Sequence, residues 1–150
     1  MTRIPATTTI GVDITRPAGD VFDYAADFGN DSLWRSEVLT SELVAGEPYK
    51  VGARYDQTMD ILGRRIRTSF EVVESVPGHV LGFAGSSGPV TVTGSLVFVP
   101  IDDHTTRLLF GHRMRGPAWF TAINPILARR RRRGIRRDLD RLSRHLETTD

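Results

Sequence analysis

The amino-acid sequence predicts an α+β fold in which a curved antiparallel sheet of seven strands packs around one long C-terminal helix. Two observations predict this class. Apolar residues alternate with polar ones through much of the segment 38–115, as in strands that have one covered face. Ile135, Leu139, Leu142 and Leu146 recur at spacings that place them on one stripe of a helix. The sheet and the stripe each need a partner surface, and each supplies it to the other.

The first part of the chain predicts one strand and two short helices. Alternation from Thr7 to Thr15 predicts the strand. Apolar residues at helical spacing predict a helix from about Ala18 to Asp27. A Gly-Asn pair interrupts this helix, and Asp31 or Ser32 can cap a second, very short helix that carries Trp34.

Six further strands follow, separated by turn signals. Short turns between consecutive strands favour antiparallel pairing, and one apolar face per strand indicates a sheet covered on one side. The predicted strands are Val38–Ala45, Ala53–Leu62, Arg65–Glu74, Val80–Ala84, Val90–Val99 and Thr105–Arg115. A twisted sheet of this size buries its apolar face against another layer, and the terminal helix is long enough to lie across it.

The terminal helix is predicted from Pro117 to Glu147. An alternative is a broken element, because Asn124 followed by Pro125 is a helix-start signal. In that alternative a short turn from Ala118 to Ile123 precedes the main helix.

Composition restricts the class of protein. The 150 residues fit a single domain, 1–150, and the absence of cysteine excludes disulfides and thiolate metal sites. No run approaches the roughly 18 apolar residues of a membrane span, and the polar N-terminus lacks an apolar leader, so we expect a cytoplasmic protein. The histidine spacing and the lack of phosphate-loop, dinucleotide and hydrolase motifs predict no metal and no cofactor.

The basic residues are concentrated at the C-terminal end. Residues 118–150 hold nine of the twenty, and Arg129 to Arg133 are consecutive. A solvated outer face, with Asp138 and Asp140 forming local pairs, is the simpler interpretation. The alternative is an interaction module whose arginine-rich face binds nucleic acid, an anionic membrane or an acidic protein. The sequence also leaves open whether the protein forms a homodimer.

The order of the elements and the residues of five segments are both typical of a known family. The segments are Pro17–Tyr24, Trp34–Val38, Glu71–Pro77, Asp138–Leu142 and His145–Glu147. Together they resemble the polyketide cyclase/dehydrase and lipid-transport group of the START-like (SRPBCC) superfamily, over almost the whole chain. The resemblance implies the helix-grip fold, with a deep and mostly apolar cavity between sheet and helix. That superfamily contains carriers, hormone receptors and aromatic-ring cyclases, so the resemblance alone does not choose between binding and catalysis.

The inward faces of the predicted strands give the expected lining of this cavity. Apolar walls with a few polar groups suit a small hydrophobic, polycyclic, phenolic or lipid-like ligand. The ligand-binding candidates are Tyr55, Gln57, Met59, Thr68, Phe70, Leu108, Phe110, His112 and Met114, with Trp34 and Phe120 near the mouth.

The leading hypothesis is binding of such a ligand without covalent chemistry. The alternative is a polyketide cyclase/dehydratase-like enzyme in which Tyr55, His112 or Arg131 polarises a carbonyl or moves a proton. For Tyr55 and His112 the simpler interpretation is a hydrogen-bonded core residue. Arg131 lies close to the apolar stripe of the helix and needs a partner there, such as a ligand carbonyl, a carboxylate or Asp60, unless its side chain extends to solvent.

Overall fold

The computed structural model describes residues 8–61 and 63–149, apart from the side chains of residues 8 and 119–128. Within these ranges the elements follow the predicted order. They are β1 (Thr8–Ile14), α1 (Ala18–Ala25), a 3₁₀ turn (Phe28–Asn30), α2 (Asp31–Trp34), β2 (Val38–Ala45), β3 (Arg54–Ile61), β4 (Arg64–Val76), β5 (Val80–Ser87), β6 (Val90–Asp102), β7 (Thr105–Arg115) and α3 (Ala118–Thr148).

In the described part of the chain, the strands form one seven-stranded antiparallel sheet in the order β1-β7-β6-β5-β4-β3-β2. Short connections make β2 to β7 successive neighbours, as expected for hairpins. Strand β1 joins the far edge by pairing with β7, where Ile10 lies opposite Phe110. A register shift in β4 between Val72 and Glu74 marks an irregularity of the kind that bends a strand and increases its twist. The predicted curved antiparallel sheet is confirmed.

Helix α3 packs on this sheet through its apolar stripe. Leu139 and Leu142 are 1% and 0% exposed, and they belong to the same apolar cluster as Ile14 of β1 and Phe22 of α1. Two polar contacts fix the position of the helix along β1. The Ser143 hydroxyl donates to the Asp13 carbonyl at 3.3 Å, and Glu147 accepts from the Thr15 amide at 2.8 Å. The stripe read from the sequence is therefore the buried face of the helix.

Helix α3 is continuous from Ala118 to Thr148, so the alternative of a break before Pro125 is wrong. A proline inside a helix removes one backbone hydrogen bond, and the backbone of α3 continues through Pro125 in spite of this local cost. The side chain of Phe120, predicted at the cavity mouth, lies outside the described residues. No helix in the described ranges is both long enough and apolar enough to cross a membrane.

The start of α2 also differs from the prediction. The helix begins at Asp31 after Asn30, which makes no side-chain capping bond. Asp31 does not cap the helix, because its side chain is 2% exposed and its carboxylate accepts a hydrogen bond from Gln57 in the core. The cap in this region belongs to Asp27, which accepts from the Gly29 amide at 3.0 Å and starts the 3₁₀ turn.

Candidate functional site

A cavity of about 370 Å³ lies between the sheet and helix α3. Its walls come mainly from alternate positions of the strands, because side chains at i and i+2 point to the same face. The lining residues are Arg35, Met59, Ile61, Arg64, Ile66, Thr68, Phe70, Phe83, Ser87, Pro89, Val90, Val92, Phe110, His112, Met114 and Arg131. Its volume falls within the range of small-molecule sites, roughly 300–1,000 Å³.

The cavity brings together six of the residues predicted to line it: Met59, Thr68, Phe70, Phe110, His112 and Met114. Two others, Tyr55 and Leu108, lie in the core and do not contribute to its described walls. Gln57 and Trp34 line a second, much smaller recess. Trp34 is 2% exposed, so its predicted place near the mouth is wrong. Helix α2 turns this side chain towards the core.

Sequence reasoning missed several lining residues. Ile61 and Ile66 continue the inward alternation of β3 and β4, so the period of two could have identified them. Phe83 lies on a short strand without clear alternation. Arg35 and Arg64 lie outside any apolar pattern, at a helix end and at the start of a strand, and no local signal places a charged residue at a cavity wall.

Arg131 points inward, and its side chain is only 14% exposed. Its guanidinium donates to the Glu37 carboxylate at 3.1 Å, so the partner is Glu37 and not Asp60. Asp60 is exposed and accepts from the Gly63 amide at 3.0 Å, which holds it in the β3–β4 turn. Burial lowers the pKa of Arg131, whereas Glu37 opposes this effect. The ion pair with Glu37 favours the charged form of the Arg131 guanidinium at the cavity wall.

Arg35 supplies a second cation beside the cavity. Its guanidinium lies 3.6 Å from the Asp31 carboxylate and 5.5 Å from the centre of the Phe110 ring. Such a position over a ring face is favourable for a cation, because the ring quadrupole is negative there. The Arg35 and Arg131 guanidinium groups, each paired with a carboxylate, are thus two of the few polar groups in a mostly apolar lining.

His112 is 5% exposed on β7 and lies on the same cavity wall. Burial lowers its pKa to about 4, and the positive charges of Arg131 and Arg35 act in the same direction. The imidazole is therefore neutral at pH 7, and it lies against Phe110 with ring centres 5.8 Å apart. A neutral imidazole can exchange hydrogen bonds with a ligand and can accept a proton.

Tyr55 has a different environment. It is fully buried, and its hydroxyl donates to the Asp27 carboxylate at 3.1 Å. Burial raises the pKa of Tyr55, and the negative charge of Asp27 raises it further, so the phenol stays protonated. This geometry supports the simpler interpretation of Tyr55, which is a hydrogen-bonded core residue.

The outer face of α3 carries the arginine run. Arg129, Arg130, Arg132 and Arg133 are exposed, whereas Asp138 is buried and accepts from the Ser36 amide at 3.1 Å. Asp138 is also 4.0 Å from Arg141, close to the local pair expected from the sequence. Binding of a nucleic acid, a membrane or an acidic protein by these exposed arginine side chains stays a prediction.

The long helix held against a seven-stranded antiparallel sheet places the protein in the helix-grip class of START-like folds. The chain belongs to the polyketide cyclase / dehydrase and lipid transport family, whose model matches residues 5–147. Membership of this family supports a ligand-binding or polyketide cyclase-like role. No curated protein matches the chain in sequence at a significant level.

Solved structures show the same fold at low sequence identity. The Zhui aromatase/cyclase from a Streptomyces species is similar with a TM-score of 0.78 and 15% identity, over 93% of this chain and 92% of that chain. A conserved protein from Geobacillus kaustophilus has a TM-score of 0.73 and 17% identity, over 92% and 93%. A START superfamily protein from Mycobacterium smegmatis has a TM-score of 0.69 and 15% identity, over 93% of each chain. These likenesses concern the fold alone.

Proposed function

We propose that this protein binds a small hydrophobic, polycyclic ligand in the cavity between the sheet and α3. The observation that carries the proposal is a mostly apolar cavity of about 370 Å³ whose lining includes a few polar groups. Most small-molecule sites have this composition, because apolar walls supply affinity and a few polar groups fix orientation. Membership of the family supports the same function.

The wall chemistry indicates which ligands fit. The Phe70 and Phe83 rings are 5.8 Å apart, and the Phe83 and Phe110 rings are 6.2 Å apart. Such a row of rings suits a planar aromatic body, which can stack on faces or contact edges. The Arg131 and His112 side chains suit a carbonyl or phenolate oxygen, which accepts hydrogen bonds from both kinds of group.

Filling the cavity is expected to abolish binding of an apolar probe. In Val92→Trp the indole would occupy space in the cavity, so we expect the Kd of the neutral fluorophore N-phenylnaphthylamine to rise at least about tenfold. Val99→Trp is the matched control, because Val99 lies on the same strand and is 38% exposed. Fluorescence titration measures both, and urea unfolding checks that both variants fold. Equal affinity in the two variants would contradict the proposed site.

A second candidate function is a polyketide cyclase/dehydratase-like enzyme. The observation that favours it is a neutral His112 beside the Arg131 and Arg35 cations within one cavity. The imidazole would take a proton from a methylene carbon between two carbonyl groups. The guanidinium of Arg131 would then stabilise the enolate oxygen while the enolate carbon attacks a further carbonyl carbon and forms the ring bond. The π electrons of that carbonyl move to its oxygen, and the protonated His112 imidazole returns the proton to this oxygen, which gives a hydroxyl group and the neutral imidazole.

Turnover of a poly-β-ketone thioester distinguishes this candidate from simple binding. If the enzyme reading is correct, His112→Gln loses turnover by about 100-fold or more and keeps measurable affinity for N-phenylnaphthylamine. Turnover by the wild-type protein should also fall as the pH is lowered towards 4, because burial sets the pKa of His112 at about 4 and a protonated imidazole accepts no proton. Turnover that persists in His112→Gln would remove this residue from the chemistry.

A further inference from the structure

A second recess, of about 10 Å³, lies next to the main cavity. Four side chains line both spaces and form the boundary between them: Arg35, Phe70, Phe83 and Phe110. On the inner side the recess is lined by Asp31, Trp34 and Gln57. A space of this size holds about one oxygen atom with its hydrogens. Phe28 and Leu96 complete its lining, so the recess is a mostly apolar space bordered by a few polar side chains.

Three buried polar atoms belong to the side chains around this recess. They are Asp31 Oδ1, Trp34 Nε1 and Gln57 Oε1, and none has a hydrogen-bond partner among the described residues. The same side chains are fixed by their other atoms. Gln57 Nε2 donates to Asp31 Oδ2 at 2.8 Å and to Ser41 Oγ at 3.1 Å, and Arg35 lies 3.6 Å from Asp31 Oδ2. One donor, Trp34 Nε1, and two acceptors, Asp31 Oδ1 and Gln57 Oε1, are therefore left without a partner among the described residues.

The balance of donors and acceptors selects the group that fits. A carbonyl oxygen can only accept, so it would use the Trp34 donor and leave both acceptors unpaired. An ammonium group can only donate and would leave the indole N–H unpaired. A hydroxyl oxygen accepts from Trp34 and donates its one hydrogen to either Asp31 or Gln57, so unlike the other two groups it pairs with the indole N–H and with an acceptor together; a water molecule can also donate to the second acceptor. Burial raises the pKa of Asp31 to about 6, so this carboxylate is mostly ionised at pH 7 and acts as an acceptor.

We propose that the recess formed by Asp31, Trp34 and Gln57 is a hydroxyl subsite. It takes one hydroxyl oxygen, supplied by a phenolic or alcoholic group at the inner end of the ligand, or by a water molecule when the ligand has no such group. A buried polar atom that gains a partner no longer pays the cost of being removed from water unpaired. The subsite rests on the proposed function, because the ligand body must occupy the main cavity for its hydroxyl group to reach the recess.

Two bicyclic probes of similar size, naphthol and methylnaphthalene, test this proposal. Isothermal titration calorimetry compares their affinities for the wild-type protein and for Trp34→Phe, which keeps an aromatic ring and removes the N–H donor. We expect the wild-type protein to bind naphthol about tenfold more tightly than methylnaphthalene. In Trp34→Phe the ratio of the two affinities should fall towards one. Asp31→Asn, which keeps the shape and removes the anionic acceptor, replaces it if Trp34→Phe does not fold.

The remaining outcomes separate the sources of the hydroxyl group. Equal affinities for the two probes, with an isolated oxygen in the recess in crystals of the methylnaphthalene complex, would assign the subsite to water. Equal affinities without such an oxygen would overturn the proposal. Failure of the wild-type protein to bind either probe would also overturn it. The proposed binding function would also be contradicted only if the wild-type protein fails to bind N-phenylnaphthylamine as well as the two bicyclic probes.

Discussion

Replacing Leu142 with alanine is expected to lower the free energy of unfolding by about 2–5 kcal/mol. Leu142 is fully buried, in the apolar cluster that joins α3 to the sheet. The truncation removes buried apolar surface and leaves a space that the surrounding side chains fill only in part. Urea unfolding followed by circular dichroism measures the loss.

The matched control is Leu33→Ala, because Leu33 is 64% exposed on the short helix α2. Its free energy of unfolding should stay within about 0.5 kcal/mol of the wild-type value. Similar values for the two variants would mean that the stripe of α3 is not packed on the sheet. The cavity would then lose the wall that carries Arg131.

Gly94→Ala is expected to lower the free energy of unfolding by about 3 kcal/mol and to disturb the cavity. Gly94 lies on β6 between Phe83 on one neighbouring strand and His112 on the other. A Cβ at this position would meet Phe83 Cζ at 2.6 Å and would also contact the Gly111 carbonyl oxygen. Backbone atoms in the middle of a sheet cannot move away independently, so the Phe83 ring must shift. We therefore expect weaker binding of N-phenylnaphthylamine together with the loss of stability.

Gly134→Ala is the control for this substitution. Gly134 lies inside α3, and a Cβ there would meet nothing within 4 Å. Alanine is about 1 kcal/mol more favourable than glycine in a helix, so the free energy of unfolding should rise by about that amount. If both glycine variants raise or both lower the free energy of unfolding, the close contact described for Gly94 does not determine the effect of its substitution on stability.

Much of the fold could be predicted because its signals are local. Alternation along β3, β4 and β7 identified the inward positions of Met59, Thr68, Phe70 and Phe110, since a period of two needs no knowledge of the partner strand. The stripe of α3 was readable for the same reason. Local signals were misleading at Pro125, where helix α3 continues through a proline that reads as a helix start.

The sequence by itself determined the class of fold, the buried faces of β3, β4, β7 and α3, and an apolar cavity lined by alternate strand positions. Only the tertiary structure decided where the charges and polar groups of the site pair. The Arg131 and Glu37 pair joins residues 94 positions apart, and the Gln57 and Asp31 pair joins residues 26 positions apart. Neither pairing leaves a periodic signal, because the position of a polar partner depends on how α2, β3 and α3 pack together. The hydroxyl subsite proposed at Asp31 arises from that packing.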